Sequence, residues 1–395
     1  MAVSRKLKKQ MSEGGWIRKM FEEGIALKKK FGEENVFDFS LGNPIIEPPP
    51  QFHRELKKWA DKPLSGMHRY MPNAGYPETR ASVAKHLASQ TGLPFTGSDI
   101  VMTCGAAGGL NVALKTVVEA GDEVIIFTPY FVEYIYYIDN VQGILVKAPT
   151  DGKFLPDLKE LEKIITAKTR AVIINSPNNP TGVVYNEKVC KGIGDVLRRK
   201  ESELGTEIYL VSDDIYRRLT YDGLTCPYVF RYHRHSILVT SYSKDLALPG
   251  ERIGYVAVNP GDKARDELIA GMVFCNRTLG FVNAPALMQN VVRDLQEVTV
   301  DIGQYVKKRD MLYNGLTKMG YSIVKPQGAF YIFPKSPVED EMKFVDALLR
   351  QNVLVVPGKG FGAPGYFRIS YCVDGRVIEG ALPCFKKAAE EYGLS

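Results

Sequence analysis

Short apolar runs alternate with amphipathic segments through the middle of the chain. Seven of these runs are rich in valine and isoleucine, a composition typical of buried strands. They predict strands at residues 100–104, 123–127, 143–147, 171–175, 207–212, 236–241 and 253–258. Helical periodicity fills most of the gaps, for example at 110–119, 158–165 and 187–199. We therefore predict an α/β fold, with about seven strands in one sheet and helices on its faces.

The pattern changes at both ends of the chain. Past about residue 290 it predicts a long amphipathic helix, a helix at 341–350 and strands at 329–333, 353–356 and 367–373. The first fifty residues carry an amphipathic helix with apolar positions Ile17, Met20, Phe21 and Ile25, followed by the turn-rich LGNPIIEPPP. We expect residues 51–290 to form a large domain, and 1–50 together with 291–395 to form a smaller α+β domain.

The composition is that of a folded protein with no nucleic-acid or membrane signature. Of the 395 residues, 45% are hydrophobic, and 51 basic against 45 acidic residues give a net charge of +6. The basic clusters at 5–9 and 28–30 are interpreted as solvated helix faces. No arginine-rich stripe with interleaved aromatics, signal-peptide core or bilayer-length apolar segment occurs. We expect a cytoplasmic protein that binds neither nucleic acid nor membrane.

Metal and dinucleotide sites have no support in the sequence. The six cysteines are widely separated and the five histidines are dispersed, so we expect reduced thiols and no bound metal. The glycine-rich PGKGFGAPG at 357–365 lacks the G-x-G-x-x-G spacing, and it precedes a strand where a dinucleotide loop needs a helix.

Small and polar residues follow several of the predicted strands, where ligands collect in α/β sheets. TCGAAGG puts Gly105, Ala106 and Ala107 at the start of a helix. Free backbone amides there suit a phosphate, although small residues also serve tight helix packing. Asn179 in SPNNPTG is compatible with a simple turn, and Asp213 in VSDDIY with a helix cap.

The segment SYSKDLALPGER ends a further strand and contributes Ser241, Ser243, Lys244 and Arg252. Its hydroxyls and guanidinium suit an anion. Lys244 is either a solvated amine, which local composition alone favours, or an amine in a dry pocket that becomes a nucleophile as its pKa falls. Pyridoxal phosphate uses all of these residue types, because it needs a lysine for a Schiff base, an acid beside its pyridine nitrogen and a phosphate cradle.

Seven motifs occur in order over nearly the whole chain, from residue 39 to residue 371: FSLGNP, GYPETRASVA, SPNNPTG, SDDIY, SYSK-x7-R, PQGAFYIFP and FRISY. Together they resemble the fold type I pyridoxal-phosphate enzymes, specifically the class I/II aminotransferases related to aspartate aminotransferase. The resemblance implies a large domain with a mostly parallel seven-stranded sheet, a smaller α+β domain and a homodimer with shared active sites. It also implies transfer of an amino group from an L-amino acid to a 2-oxo acid by a ping-pong mechanism.

The same resemblance implies roles at the cofactor ring. Lys244 forms the Schiff base and then shuttles a proton at the α-carbon. Asp213 pairs with the pyridine nitrogen, whereas Tyr216 and Asn179 bind the phenolic oxygen of the ring. Phe131 stacks on the ring, although a core phenylalanine is the simpler interpretation of that residue.

Further residues are implied to hold the phosphate, and they are Gly105, Ala106, Ala107, Ser241, Ser243 and Arg252. Tyr70 matches a tyrosine that reaches across the dimer to the phosphate of the neighbouring subunit. Arg368 in FRISY matches the arginine that grips the substrate α-carboxylate, assisted by Asn179 and the backbone at Gly42.

Substrate choice remains open at this stage. Some bacterial relatives that favour acidic substrates carry a lysine where this chain has Ala107, so Arg277 is the candidate for binding a second carboxylate. Aspartate with 2-oxoglutarate is the first choice, and aromatic or small aliphatic amino acids are competitors. A fold type I lyase, decarboxylase or oxidase is the alternative, because the same Schiff base can break other bonds. A protein that senses the cofactor or an amine is a third hypothesis.

Overall fold

The computed structural model describes residues 2–13, 15–61 and 65–394. The described residues form twelve strands: β1 (Phe37–Asp38), β2 (Ile100–Thr103), β3 (Glu123–Phe127), β4 (Ile144–Ala148), β5 (Thr169–Asn175), β6 (Tyr209–Asp213), β7 (Ser236–Ser241), β8 (Gly254–Val258), β9 (Tyr331–Ile332), β10 (Val353–Leu354), β11 (Val356–Pro357) and β12 (Phe367–Ser370). They also form thirteen α-helices: α1 (Arg5–Glu13), α2 (Trp16–Phe31), α3 (Pro50–Ala60), α4 (Pro77–Thr91), α5 (Gly105–Val117), α6 (Tyr134–Asn140), α7 (Leu158–Ile164), α8 (Glu187–Leu204), α9 (Arg265–Thr278), α10 (Ala286–Arg293), α11 (Ile302–Lys318), α12 (Glu341–Arg350) and α13 (Gly375–Glu391).

Seven strands form one sheet in the order β2-β8-β7-β6-β5-β3-β4. Strand β8 runs antiparallel to both of its neighbours, and the other pairs are parallel. All seven predicted strands are present, with bounds that differ by at most two residues from those predicted. The α/β fold class and the mostly parallel sheet are therefore confirmed.

The apolar runs of the central strands are buried on both faces of the sheet. On β5, Val172 belongs to the same core cluster as Ile193 of α8. The next residue, Ile173, belongs to a second cluster with Leu114 of α5 and Met272 of α9. Successive side chains of a strand point to opposite faces, so a strand covered on both sides needs a continuous apolar run.

Capping side chains mark where several helices begin. In five helices, the side chain of the residue just before the helix accepts a hydrogen bond from a backbone N–H of the first turn. These helices are α7, α8, α11, α12 and α13. Such caps satisfy amide groups that have no partner within the helix. Among the described residues, no helix is both long enough and apolar enough to cross a bilayer.

The two ends of the chain meet in the smaller α+β part. Strand β1 pairs with β10, and β12 pairs with β9 and β11. The strands here are shorter than predicted, and the one predicted at 329–333 is reduced to β9. Ala329 adopts a φ of +56°, which is outside extended conformation, so it cannot begin a strand. The domain boundaries at residues 50 and 290 stay a prediction.

Helix α2 is present, but its apolar face is only partly buried. Met20 and Gly24 are buried. Phe21 and Ile25, two of the apolar positions of the predicted helix, are exposed, at 38% and 55% of their surface. The helix packs on the core through a narrow stripe of residues, and the apolar pattern of the sequence suggests a wider one. The side chain of Ile17 lies outside the described residues.

Candidate active site

A cavity of about 220 Å³ lies where β5, β6 and β7 end. It is lined by Gly42, Phe131, Asn175, Asn179, Asp213, Ile215, Tyr216, Lys244, Tyr331 and Arg368. Seven of these ten residues were singled out from the sequence. They meet because the carboxyl ends of parallel strands lie at one edge of the sheet, where loops from distant parts of the chain converge.

Lys244 lies in the turn after β7, and its side chain is half-buried in the cavity wall. The Nζ atom donates a hydrogen bond to the carbonyl of Gly42 at 2.8 Å and lies 5.4 Å from the centre of the Phe330 ring. Burial lowers the pKa of Lys244 to about 8, and the Arg368 and Arg252 charges act in the same direction. A substantial fraction of this amine is therefore neutral, and hence nucleophilic, near physiological pH.

Asp213 is the last residue of β6 and is 2% exposed. Its Oδ2 atom accepts a hydrogen bond of 2.5 Å from the Tyr134 hydroxyl. Its Oδ1 atom is buried and has no hydrogen-bond partner among the described residues. Burial raises the pKa of Asp213 to about 7, and the Tyr134 hydrogen bond limits that rise. The Oδ2 atom is thus held by Tyr134, and the Oδ1 atom can accept a hydrogen bond from a further donor.

Arg368 on β12 is a buried cation, 1% exposed. Its Nη1 atom donates to Asn179 Oδ1 at 3.0 Å and its Nη2 atom donates to the carbonyl of Ser40 at 2.6 Å. Its Nε atom has no hydrogen-bond partner among the described residues, and no acidic side chain described here pairs with it. Burial lowers the pKa of Arg368. A buried guanidinium without an acidic partner is suited to an anionic ligand.

Two further aromatic residues from the sequence analysis lie in the cavity. The Tyr216 hydroxyl is 2.8 Å from the Tyr331 hydroxyl. Phe131 is half-buried, and its ring meets that of Tyr134 edge to face, with 5.6 Å between the ring centres. Phe131 therefore belongs to the cavity wall and also packs on the tyrosine that holds Asp213.

The predicted phosphate-binding residues lie at the same edge of the sheet. Strand pairing sets Gly254 beside Thr103 on one side and Ser241 on the other. The Arg252 guanidinium reaches the carbonyl of Cys104, at 3.4 Å, where α5 begins. Gly105 has a φ of +69°, and a Cβ atom there would come within 2.7 Å of that guanidinium, so the turn requires glycine.

Like the predicted phosphate-binding residues, Tyr70 and Arg277 are absent from the lining of this cavity. Tyr70 is 91% exposed and lines a separate open groove with Phe281 and Val282. Arg277 is exposed on α9, with its guanidinium 5.3 Å from the Phe274 ring centre. Within one chain, neither side chain reaches the Lys244 cavity, so any role there requires a second subunit.

Sequence reasoning missed four residues of the site: Asn175, Ile215, Tyr134 and Tyr331. Asn175 donates to the Asp213 carbonyl at 2.9 Å and accepts the Asn179 amide at 2.7 Å. Its place at the end of β5 was a usable signal. Tyr134 lies in the tyrosine-rich EYIYY, which carries no comparable signal, and Tyr331 lies in PQGAFYIFP, a motif that was recognised without a role for each residue.

Comparisons with known proteins agree with the geometry. The family model for aminotransferase class I and II matches residues 34–382. A probable aspartate aminotransferase of Methanocaldococcus jannaschii is 31% identical over 366 residues, which cover 90% of this chain and 94% of that protein. The aromatic-amino-acid aminotransferase 2 of Thermococcus litoralis is 30% identical, with 100% of both chains covered.

Solved structures give the same result. An amino transferase from Eubacterium rectale has a TM-score of 0.96 and 40% identity, with 100% of both chains covered. The aspartate aminotransferase of Thermus thermophilus with maleate has a TM-score of 0.86 and 26% identity, covering 98% of this chain and 100% of that one. These proteins are aminotransferases, which favours amino-group transfer over the lyase, decarboxylase, oxidase and sensor alternatives. The chain belongs to the class I and II aminotransferases, enzymes of the pyridoxal-phosphate-dependent fold type, and is similar to aspartate aminotransferase.

Proposed function

We propose that this aminotransferase uses pyridoxal phosphate to move the amino group of an L-amino acid to a 2-oxo acid such as 2-oxoglutarate, in a ping-pong cycle through Lys244. One observation carries the proposal. A single cavity holds an amine with a lowered pKa, a carboxyl group with an unpartnered buried oxygen, and a guanidinium without an acidic partner. These groups match the carbonyl, the pyridine nitrogen and the substrate carboxylate that the reaction brings together.

The residues of the cavity fit the ring of the cofactor. When bound, pyridoxal phosphate supplies an electron sink for bonds at the α-carbon. Asp213 Oδ1 lacks a partner within the described chain and is free to accept the pyridine N–H, while Tyr134 fixes the other oxygen. A carboxylate in that position keeps the ring nitrogen protonated. Phe131 offers a ring face, and Tyr216 offers a hydroxyl to the phenolic oxygen.

The edge of the sheet beside the cavity suits the phosphate. The first turn of α5 presents free amides and the positive end of the helix dipole. Hydroxyls and a guanidinium complete a set of donors whose charge complements a dianion. The proposed set is Gly105, Ala106, Ala107, Ser241, Ser243 and Arg252.

Substrate binding and proton transfer are assigned to two basic residues. Arg368 binds the α-carboxylate through its free Nε edge, supported by Asn179 and the Gly42 backbone. This contact aligns the α-carbon near Lys244. The neutral Lys244 amine takes the α-proton and returns it at the adjacent carbon. The Gly42 carbonyl, which binds Nζ at 2.8 Å, holds the amine in reach.

Aspartate is the first choice of amino acid, and aromatic or small aliphatic amino acids remain competitors. Relatives are named for aspartate, aspartate or prephenate, and aromatic amino acids. The cations that line the cavity are Lys244 and Arg368, both already assigned. A second carboxylate therefore needs a cation from outside one chain. We assign this role to Arg277 of a second copy in a homodimer, with Tyr70 reaching the phosphate from the same side. The cytoplasmic location stays a prediction.

The test is an absorbance titration of the cofactor-loaded enzyme with L-aspartate, L-phenylalanine and L-alanine in turn. We expect the visible band to disappear with at least one of them and to return when 2-oxoglutarate is added. An unchanged band with all three would contradict the proposed amino donors, and a change that no 2-oxo acid reverses would contradict transfer. Arg277→Ala should raise KM for L-aspartate while leaving KM for L-phenylalanine unchanged, so the aromatic substrate is the internal control.

A further inference from the structure

Tyr331 contacts two residues of the cavity that have separate roles in the proposed function, Arg368 and Tyr216. It lies on β9, where it pairs with Ser370 of β12. Arg368 is two residues from Ser370 on the same strand, so it is the diagonal neighbour of Tyr331 on one face of the sheet. Diagonal neighbours are within reach of aromatic and long side chains. Tyr331 is 2% exposed, which excludes a role at the surface.

The ring of Tyr331 lies against the guanidinium of Arg368. The distance from the guanidinium carbon to the ring centre is 4.7 Å, and Phe361 provides a second ring at 4.8 Å. A cation at these distances is attracted to the ring face. Because Nη1 and Nη2 are held by Asn179 and Ser40, the ring contacts restrict the remaining freedom of the guanidinium.

The hydroxyl of Tyr331 binds Tyr216. The two oxygens are 2.8 Å apart, and the rings meet edge to face at 86° with 5.7 Å between their centres. Burial raises the pKa of Tyr331 to about 12, and the Arg368 charge offsets part of that rise. Burial also raises the pKa of Tyr216 well above its ordinary value. Both phenols keep their protons at neutral pH, and the adjacent cation favours Tyr331 as the donor. With Tyr331 as the donor, the Tyr216 proton is free for an acceptor in the cavity.

Gly42 makes room for this arrangement. A Cβ atom at residue 42 would overlap the Tyr331 hydroxyl. The Gly42 backbone, whose carbonyl accepts a hydrogen bond from the Lys244 amine, therefore also packs directly against Tyr331. One tyrosine contacts the carboxylate-binding arginine, the hydroxyl beside the cofactor ring and the segment that holds the catalytic lysine.

We infer that Tyr331 is a positioning residue that links Arg368 to the Tyr216 hydroxyl, an inference that rests on the proposed function. The ring orients Arg368 for the substrate carboxylate. The hydroxyl donates to Tyr216 and so strengthens the hydrogen bond from Tyr216 to the phenolic oxygen of the cofactor, because hydrogen bonds in a chain polarise one another.

Tyr331→Phe separates the two roles, since it removes the hydroxyl and keeps the ring. The readout is the pH midpoint of the visible absorbance of the cofactor-loaded enzyme. A weaker hydrogen bond to the phenolic oxygen stabilises its anionic form less, so the midpoint should move to higher pH, by about 0.3 pH unit. In a Tyr216→Phe background the same substitution should produce no shift, because its effect passes through Tyr216. No shift in the wild-type background, a shift to lower pH, or equal shifts in both backgrounds would overturn the inference.

Tyr331→Leu removes the ring as well and tests the second role. The probes are maleate and 3-phenylpropionate, two carboxylates that carry no amino group to transfer. Losing the cation–ring contact should weaken their binding about tenfold, whereas Tyr331→Phe should bind both within about twofold of wild type. Equal affinities for the Phe and Leu variants would remove the proposed role of the ring. Circular dichroism of both variants is the control for folding.

A failure of the proposed function is distinguishable from a failure of this inference. If the wild-type protein forms no visible band with pyridoxal phosphate, the proposed cofactor role itself is wrong. If the wild type forms the band and turns over, but Tyr331→Phe leaves the midpoint unchanged, only the role of Tyr331 is wrong.

Discussion

Replacing Asp213 by asparagine should make the cofactor-free protein more stable at high pH. Asp213 is buried with one oxygen unpartnered, and burial raises its pKa to about 7. Above that pH the folded protein contains a buried carboxylate whose charge only the Tyr134 hydroxyl and local backbone offset. Asparagine has nearly the same shape and carries no charge, so it removes this cost.

The size of the effect follows from linkage between protonation and folding. An aspartate in the unfolded chain has a pKa near 3.9. A group whose pKa is raised by folding contributes stability below its unfolded pKa and loses that stability as pH rises to its folded pKa. The difference of about three pH units corresponds to about 4 kcal/mol, at 1.36 kcal/mol per unit. The wild-type protein loses this part of its free energy of unfolding between about pH 4 and pH 7. The asparagine variant does not titrate at residue 213 and therefore keeps its stability over this range.

The assay is thermal unfolding of both cofactor-free proteins between pH 5 and pH 8. For a chain of 395 residues, 4 kcal/mol corresponds to about 5 °C in Tm, of which about 3 °C should develop between pH 5 and pH 7. The gap in Tm should therefore widen in favour of Asp213→Asn as pH rises. Asp222→Asn is the control, because Arg309 lowers the pKa of Asp222 and the stability it contributes is lost only below about pH 4, so its gap in Tm from wild type should stay constant over this range. A gap between wild type and Asp213→Asn that is constant with pH would refute the reasoning.

The remaining predictions concern the cavity. Lys244→Ala should abolish turnover with an unchanged circular dichroism spectrum, and appreciable retained activity would remove the proposed mechanism. The rate at which cofactor-free protein reacts with pyridoxal phosphate, followed by its visible absorbance, should rise as pH passes through about 8, where Lys244 loses its proton. Arg368→Ala should raise KM for the amino acid about 30-fold or more without loss of cofactor, whereas an unchanged KM would place the carboxylate elsewhere. Gly42→Ala should lower kcat/KM through overlap with the Tyr331 hydroxyl, and Gly152→Ala, where a Cβ atom meets nothing, should have no effect on it.

Local patterns were enough to predict the sheet, whereas much of the candidate site was predicted only through the ordered motifs. The central strands are recognisable in the sequence because a strand covered on both faces must be apolar throughout. Asp213, Asn179 and Lys244 became candidates because they follow predicted strands, whose carboxyl ends converge in a parallel sheet, and the motif resemblance then implied their roles. The smaller part of the chain was harder. Its strands are two to four residues long, too short for a periodic signal.

Only the tertiary structure decided which side chains meet and what their surroundings do to them. Tyr134 reaches Asp213 across 79 residues of chain, and Tyr331 reaches Tyr216 across 115. No local pattern encodes such contacts, because they depend on how strands are ordered and how loops pack above them. The same holds for protonation, since the pKa of Lys244 falls and that of Asp213 rises through burial that the whole fold creates. The sequence by itself therefore determined the strands and the candidate residues, and packing determined their partners and their charge.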